Sequence, residues 1–520
     1  MRAEQIFKGI PVSGRLPEGD FTSIRSDSRR VIPGSLFVCL KGAKRDGHDC
    51  GAEAVKNGAL AVLGERAAEG VPDDRMLLTP DTREAESRLW NNFTGSPGEG
   101  MMKIAVTGTA GKTTVALLLS ELLRASGQKT GYVTTVGAAA GSVPLSLGEN
   151  GGSSVSDIPG AMTTPDPEFF FPALRAMRDG GCAAVIWEAS SQSLALKKTS
   201  ALTPDLAVFT NLSPEHMDFH GTMENYFRAK ASLLRGVPRA VIWGDDPWLA
   251  RLPGMFPSVS FTVCSAESGR AGHADVTALR IRSRGADGMD YLWFSSRAVF
   301  RVRTPMPGRF SVINTMLACA AALNAGGDPA SVRDAVSDFR GAPGRLYRVV
   351  AGGEGRGKPS VFIDYAHTPE AMEAVLRSVR SFSPGKLTAV FGCGGERDRT
   401  KRPRMAEAAE NGADAVIVTS DNPRGEDPDA IFRDILRGFT GKTPVTVIPS
   451  RARAIRAAIS SSPPDGTVLL LGKGHEKYEI TSRGRQPFDE EAVARDALAA
   501  YGSSGPVDGA EERESESDGL

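Results

Sequence analysis

The stretch Lys103-Ile104-Ala105-Val106-Thr107-Gly108-Thr109-Ala110-Gly111-Lys112-Thr113-Thr114 decides the fold. A short apolar run, KIAVT, passes into a glycine turn. The turn opens KTTVALLLSELLRA, whose apolar residues recur at helical spacing. Strand, glycine loop and helix in that order make one βα unit of a parallel sheet. Glycines let backbone N–H groups close on phosphate oxygens, and the helix N-terminus adds favourable partial charge. Lys112 has the reach for terminal phosphates, and the Thr113 hydroxyl suits Mg²⁺. The full spacing of such a loop places a glycine at position 106, where Val106 stands, so this is a shorter variant.

The alternation continues downstream. A strand expected over 183–187 ends in Glu188, followed by Ala189-Ser190-Ser191. Another, over 206–209, ends at Thr210-Asn211, and His216 follows in NLSPEHMDFHG. A carboxylate at the C-terminal end of a parallel strand lies at the ligand edge of the sheet. Glu188, His216 and Thr113 would thus be placed to share Mg²⁺. Because Mg²⁺ prefers oxygen, spacing alone reads His216 better as a structural histidine. Local pattern alone reads Lys230, in YFRAKASLL, as a solvated helical lysine.

A second βα series starts near Gly341, with strands expected over 361–364, 387–391, 415–419, 445–448 and 468–471. Polar motifs follow these strands: Asp364-Tyr365-Ala366-His367; Gly392-Cys393-Gly394-Gly395-Glu396-Arg397-Asp398, with Lys401-Arg402-Pro403 behind it; Asp421-Asn422-Pro423-Arg424; and Gly472-Lys473-Gly474-His475-Glu476. Pro423 lacks a donor and fixes its own φ, so it stiffens the turn that carries Asn422 and Arg424. Arg424 offers a planar fork for a carboxylate. Several such motifs at strand ends within one domain point to a polar ligand.

At 520 residues the chain is expected to form roughly three domains. The boundaries fall at 1–98, with strands over 36–40, 60–63 and 76–78, then 99–340 and 341–502. The Gly/Ser-rich stretch 141–157 reads as a surface loop and the acidic tail 503–520 as disordered. The fold class is α/β, with a central parallel sheet of the phosphate-loop type and a C-terminal Rossmann-like domain. Lys+Arg and Asp+Glu both number 62, which speaks against a nucleic-acid or membrane surface. Without an apolar run of membrane length or a signal-peptide core, a cytoplasmic location is expected. Six cysteines without CxxC spacing suit reduced thiols.

Taken together, TGTAGKTT, EASS, TNLSPEHMDFHG, the AK of Lys230, DYAHTPE, FGCGGERD, KRP, DNPR and GKGHE resemble the Mur ligases, and DSRRVIPGSLFVCLKGAKRDGHD matches their nucleotide-sugar domain. The likeness runs from about Ile24 to about Phe488 and is closest to the members that use diaminopimelate. The resemblance implies an ATP-dependent amide ligase of peptidoglycan precursor synthesis with a UDP domain, an ATP domain and a Rossmann-like amino-acid domain. It places Ser26, Ser28 and the 43–45 turn on the uridine nucleotide. Thr163, Thr164, Ser190 and Lys198 fall on the UDP-linked muramoyl dipeptide. Gly108, Thr109, Ala110, Gly111, Lys112, Thr113, Thr114, Asn314, Arg345 and Asp364 fall on ATP. It makes Thr113, Glu188, His216 and Lys230, the last as a carboxylated lysine, the Mg²⁺ ligands. Arg397, Asp421, Asn422, Pro423, Arg424, Gly472 and Glu476 fall on meso-diaminopimelate. The expected assembly is a monomer.

The chain departs from the family pattern at Ala110, Ser311 and Gly244, each where Asn is usual. Gln192 replaces a His, Leu196 a Gln and Lys198 an Arg. The nearest alternative is the same reaction with L-lysine, which lacks the second carboxylate that Arg424 would pair. A folylpolyglutamate synthase lacks the nucleotide-sugar domain. A nucleotide-binding regulator without ligase activity would be expected to lose Glu188, His216 and Lys230, all of which are present.

Overall fold

The computed structural model describes residues 1–42, 45–146, 163–266, 274–296, 298–351 and 357–502. The chain forms two compact units. One comprises Met1–Ser283, Gly288–Pro305 and Arg309–Phe339, and the other Arg284–Asp287, Met306–Gly308 and the residues from Arg340 onward.

The first unit opens with a four-stranded parallel sheet, Ser23–Arg25, Ser35–Val38, Ala59–Gly64 and Met76–Leu78, in chain order. An 11-stranded sheet follows. At its centre Met102–Thr107 lies between Ala184–Glu188 and Leu206–Phe209, all parallel. Thr130–Thr134 adds beyond the first neighbour, and Arg239–Trp243 and Ser260–Ser265 beyond the second. These strands are almost wholly buried, as expected of parallel strands covered on both faces, where side chains are apolar without alternation. Helix Lys112–Ala125 packs on helix Arg309–Asn324. The latter buries Val312, Met316, Leu317, Ala318 and Ala321 at once, a helix that is apolar all round and therefore interior.

The antiparallel meander Val276–Ser283, Met289–Ser295 and Val299–Thr304 closes one edge. Short strands Gly137–Ala140 and Val143–Leu145 close the other. Within the stretch read as a surface loop, residues 143–145 thus form a strand, while 147–157 lie outside the described residues, as does the tail 503–520.

The second unit is a six-stranded sheet. Tyr347–Val349 runs antiparallel to Ser360–Asp364. Then come Thr467–Leu471, Leu387–Phe391, Ala415–Val418 and Val445–Val447, all parallel. Alternate side chains feed opposite cores. Phe362, Leu469, Leu471, Ala389 and Phe391 join one cluster; Val361, Ile363, Val468, Leu470 and Val390 join the other. Each large apolar side chain removed from water contributes about 1.5–3 kcal/mol, so a register slip would expose both faces. The hairpin Tyr478–Thr481 with Gly484–Pro487 adds a separate two-stranded sheet.

All six cysteines are free and buried. Among the described residues no helix is long and apolar enough to cross a membrane.

Candidate active site

Register builds the first cluster. Val106 pairs with Glu188, and Thr107 with Phe209. The turns leaving these three strands therefore meet at one edge of the sheet, where such folds bind ligands. Gly108 and Gly111 adopt φ of +142° and +85°, and side chains there would collide with Thr210 Oγ1 and the Asn314 amide. Only glycine meets both demands. Ala110 is held on both sides: its N–H donates to Asn211 Oδ1 (3.0 Å), and its carbonyl accepts from Thr210 Oγ1 (2.6 Å) and Asn211 Nδ2 (3.0 Å). Thr109 Oγ1 meets Tyr226 Oη at 3.0 Å and the Ser213 backbone. These braces are backbone-directed, so the cradle does not depend on the side chain at position 110. Lys112 Nζ donates to the loop carbonyls of Gly108 (3.0 Å) and Thr109 (2.8 Å). Thr113 is buried in the first turn and Thr114 half-buried. Asn314 is buried against Gly111.

Lys230 is only 2% exposed, which corrects its local reading as a solvated lysine. Its Nζ donates to Gly108 O at 2.7 Å and sits over the Tyr226 ring. Burial, with the charge of Lys112 behind it, holds its pKa well below the usual lysine value. Glu188, 1% exposed, accepts the Thr135 N–H (2.9 Å) and, more weakly, the Thr135 hydroxyl (3.3 Å). His216 differs: its φ is +55°, its side chain is 42% exposed, and its Nε2 lies 3.8 Å from the Glu215 carboxylate. Thr113 and Glu188 offer oxygen donors for Mg²⁺, whereas Lys230 as it stands offers only a buried amine. No hydrogen bond joins His216 to them, and no cluster of three His, Cys, Asp or Glu side chains among the described residues would hold a metal alone. An ion here would need phosphate oxygens as well, as Mg²⁺ commonly does.

Beside Glu188 lies a second group. Thr164 Oγ1 donates to Glu188 O (2.7 Å) and accepts from Ser190 N (3.2 Å), while Ser190 Oγ caps the short helix Ser191–Ala195. Lys198, buried, pairs with Asp166 (2.7 Å) and reaches Thr164 O (3.3 Å). Thr163 is half-buried next to Thr164. Glu168 binds Arg30 (2.8 Å). Burial, with Asp166 and Glu168 nearby, pushes Glu86 up to about 8. Ser26 is exposed, whereas the Ser28 hydroxyl is committed to Glu53 at 2.6 Å. Of the turn at 43–45, residues 43 and 44 lie outside the described residues.

In the second unit Asp364 accepts the N–H groups of Leu346 (2.7 Å) and Ala366 (2.9 Å), and burial raises its pKa. Arg345 lies over the Tyr365 ring. The Asp421–Arg424 turn is rigid. Arg424 takes a φ of +55°, a strained value for a side-chain-bearing residue. Its N–H is pinned to Ile480 O (2.9 Å), and its Nη1 to the carbonyls of Gly395 (2.8 Å) and Asn422 (3.2 Å). Pro423 is buried, its carbonyl pressed on Gly395. A side chain at Gly394 would run into Arg424 Nη1 and approach the stem of exposed Arg397. Among the described residues neither arginine has a carboxylate partner. Asp421 faces Gly472, and Glu476 accepts from Asn422 Nδ2 at 2.9 Å. Burial raises the Glu476 pKa.

Asn211, Thr210, Thr135, Tyr226, Asp166 and Lys473 carry much of this bonding. Thr210 and Asn211 stand at the strand end named from sequence, and Tyr226 and Lys473 lie inside quoted motifs without being assigned a role; Thr135 and Asp166 carry no signal in the motifs above.

Family models match the chain in three places: the Mur ligase family catalytic domain over residues 20–93, the Mur ligase middle domain over 106–322, and the Mur ligase glutamate ligase domain over 344–474. The UDP-N-acetylmuramoyl-L-alanyl-D-glutamate–2,6-diaminopimelate ligase of Syntrophomonas wolfei is 34% identical over 511 residues, 96% of this chain and 99% of that one. The enzyme of the same name from Pseudomonas aeruginosa is 38% identical over 491 residues, 91% and 94% of the two chains. A solved structure of a ligase of that name matches with a TM-score of 0.65 at 31% identity, covering 96% of this chain and 99% of the other.

Proposed function

The chain belongs to the Mur ligase family and is an ATP-dependent ligase, and from that premise we propose that it adds meso-2,6-diaminopimelate to the D-glutamate of UDP-N-acetylmuramoyl-L-alanyl-D-glutamate. Residues 1–98 serve the uridine nucleotide, 99–340 ATP, and 341–502 the amino acid. The observation that carries the choice of amino acid is the pair Arg397 and Arg424. The Arg424 guanidinium and the stem of the Arg397 side chain lie beside Gly394, neither arginine has a carboxylate partner among the described residues, and Glu476 is on the Asn422 network of the same turn. A ligand with two carboxylates and two ammonium groups is complementary to that set.

ATP phosphates would lie on the backbone N–H groups of residues 108–113, at the N-terminus of helix Lys112–Ala125. Lys112 leaves the loop carbonyls for the γ-phosphoryl group, which passes to the D-glutamate carboxylate. The amine of the diamino acid attacks the resulting acyl phosphate, and the amide forms with release of phosphate. Thr113, Glu188, His216 and carboxylated Lys230 would hold Mg²⁺, which supplies charge neutralisation during transfer. Lys230 gains that carboxylate by attack of its free amine on CO₂ with loss of a proton. Its burial favours the neutral amine this needs.

The test is ADP release with the UDP-muramoyl dipeptide plus either meso-diaminopimelate or L-lysine. Faster turnover with lysine would remove the diaminopimelate reading and leave a Mur ligase of the other specificity.

A further inference from the structure

Lys473 is fully buried, and the mechanism above gives it no role. Its Nζ donates to Asn422 Oδ1 (3.1 Å) and Tyr478 O (2.9 Å), with Asp421 Oδ1 at 3.8 Å. A buried ammonium without a hydrogen-bonded carboxylate is costly, and an apolar side chain of the same length would serve packing better. Burial also holds its pKa below the usual lysine value. The expense points to a task other than stability.

The bonding around Asn422 identifies that task. A lysine ammonium has donors and no acceptor, so it can face only the oxygen of an amide. Ile480 N–H donates to the same Oδ1 at 2.9 Å. With two donors on its oxygen, the Asn422 amide must turn its NH₂ toward Glu476 Oε2, 2.9 Å away. Flipped, it would set oxygen against carboxylate oxygen. The bond to Oε2 fixes the carboxylate rotor, and Oε1 has no partner among the described residues.

We propose that Lys473 is a positioning residue of the amino-acid site: by holding the Asn422 amide in one orientation, it aims Glu476 Oε1 at a substrate ammonium group. This rests on the diaminopimelate reading, in which Glu476 binds the amino acid. Lys473 touches no substrate.

The experiment compares wild type, Lys473→Met, Asn422→Ala, the double variant and Asn422→Asp. It measures kcat/KM for meso-diaminopimelate and for L-lysine, and Kd for ADP. Lys473→Met should lower kcat/KM about tenfold or more for both amino acids, the scale of one charge-assisted hydrogen bond, and leave their ratio and ADP binding unchanged. Added to Asn422→Ala it should cost little more, because the two act through one path. Asn422→Asp keeps an acceptor for Lys473 but sets an oxygen against Glu476 Oε2, which turns the carboxylate away, so kcat/KM should fall at least as far for both amino acids. That arm decides the matter if Lys473→Met fails to fold. Wild-type kcat/KM in Asn422→Asp, or in a folded Lys473→Met, overturns the proposal, as does full additivity in the double variant. A wild type that turns over neither amino acid overturns the reading beneath it instead.

Discussion

The phosphate loop and the Asp421–Arg424 turn solve opposite problems. On the proposed reading, loop 108–111 presents backbone N–H groups to an anion whose charge changes during reaction; it is built of small residues braced by Thr210, Asn211 and Tyr226, with the Lys112 and Lys230 ammonium groups on its carbonyls. On the same proposed reading, the turn chooses one amino acid from close analogues. It is strained at Arg424, buried at Asp421 and Asn422, and wired to charged neighbours. The loop can tolerate Ala110 because its work is done by the main chain. The turn has no such latitude, since its work is done by particular side-chain ends. Changes at the loop should therefore cut rate for every substrate, and loss of the Arg424 guanidinium at the turn should alter choice.

The largest effect is expected at the loop. Lys112→Ala should lower kcat by on the order of 10²–10³ or more, with the fold intact by circular dichroism, because one preorganised charge on a transferring group is worth that much. Its effect should be equal for both amino acids. Turnover near wild type would remove Lys112 from the phosphate site.

Lys230→Ala comes next. It should fall close to background and recover in part with short carboxylic acids, which can fill the vacated space and supply oxygens in place of a carbamate. Bound CO₂ on wild-type Lys230, read by mass spectrometry or ¹³C NMR, should be absent from the variant. Normal activity in Lys230→Ala would break the assignment.

These two lysines show what was legible in the sequence. Lys112 is readable because its chemistry is local: strand, glycine turn and helix fix its place within a few residues. The buried status of Lys230 is tertiary, set by Tyr226 and the loop carbonyl of Gly108, and no pattern within YFRAKASLL reveals it. The same division runs through the fold. The parallel strands were readable as unbroken apolar runs, because both faces are covered. The meander 276–304 carries a weak signal: in its first strand only Val276 and Ala278 are buried, and Leu279 to Ser283 are half-buried or exposed. Ser28 matched a motif, and its hydroxyl donates to Glu53, which leaves its oxygen to accept. Spacing locates a residue but does not say who else claims its atoms.

At the turn the expected loss is selective. Arg424→Ala should remove most of the preference for meso-diaminopimelate over L-lysine, about 10- to 150-fold in kcat/KM, corresponding to roughly 1.5–3 kcal/mol for a desolvated bidentate pair. Lysine leaves the guanidinium unpaired, which adds to discrimination in the wild type. Arg397→Ala and Glu476→Gln should instead slow both amino acids alike. A full preference surviving in Arg424→Ala would mean the choice is made elsewhere.

The smallest effect concerns what holds the turn's far side. Glu426 accepts both Nη groups of fully buried Arg402 (2.8 and 2.7 Å) and the Glu396 N–H (3.0 Å), tying residues 394–397 to the turn. The Arg402 bonds, chiefly, depress its pKa to about 2. A carboxylate depressed in the folded state stabilises fully above the ordinary Glu value, and that contribution is lost as pH falls through the folded value. Glu426→Gln should therefore be less stable than wild type at pH 7 by about 1–2 kcal/mol, the scale of a charge-assisted bond in a partly exposed pair. The gap should shrink by about half near pH 3, because the unfolded wild type then binds a proton that the folded form resists. Urea midpoints of the two proteins between pH 7 and pH 3 measure it. A gap that stays constant across that range would mean Arg402 grips the turn by shape alone, and that the charge of the pair contributes nothing to stability there.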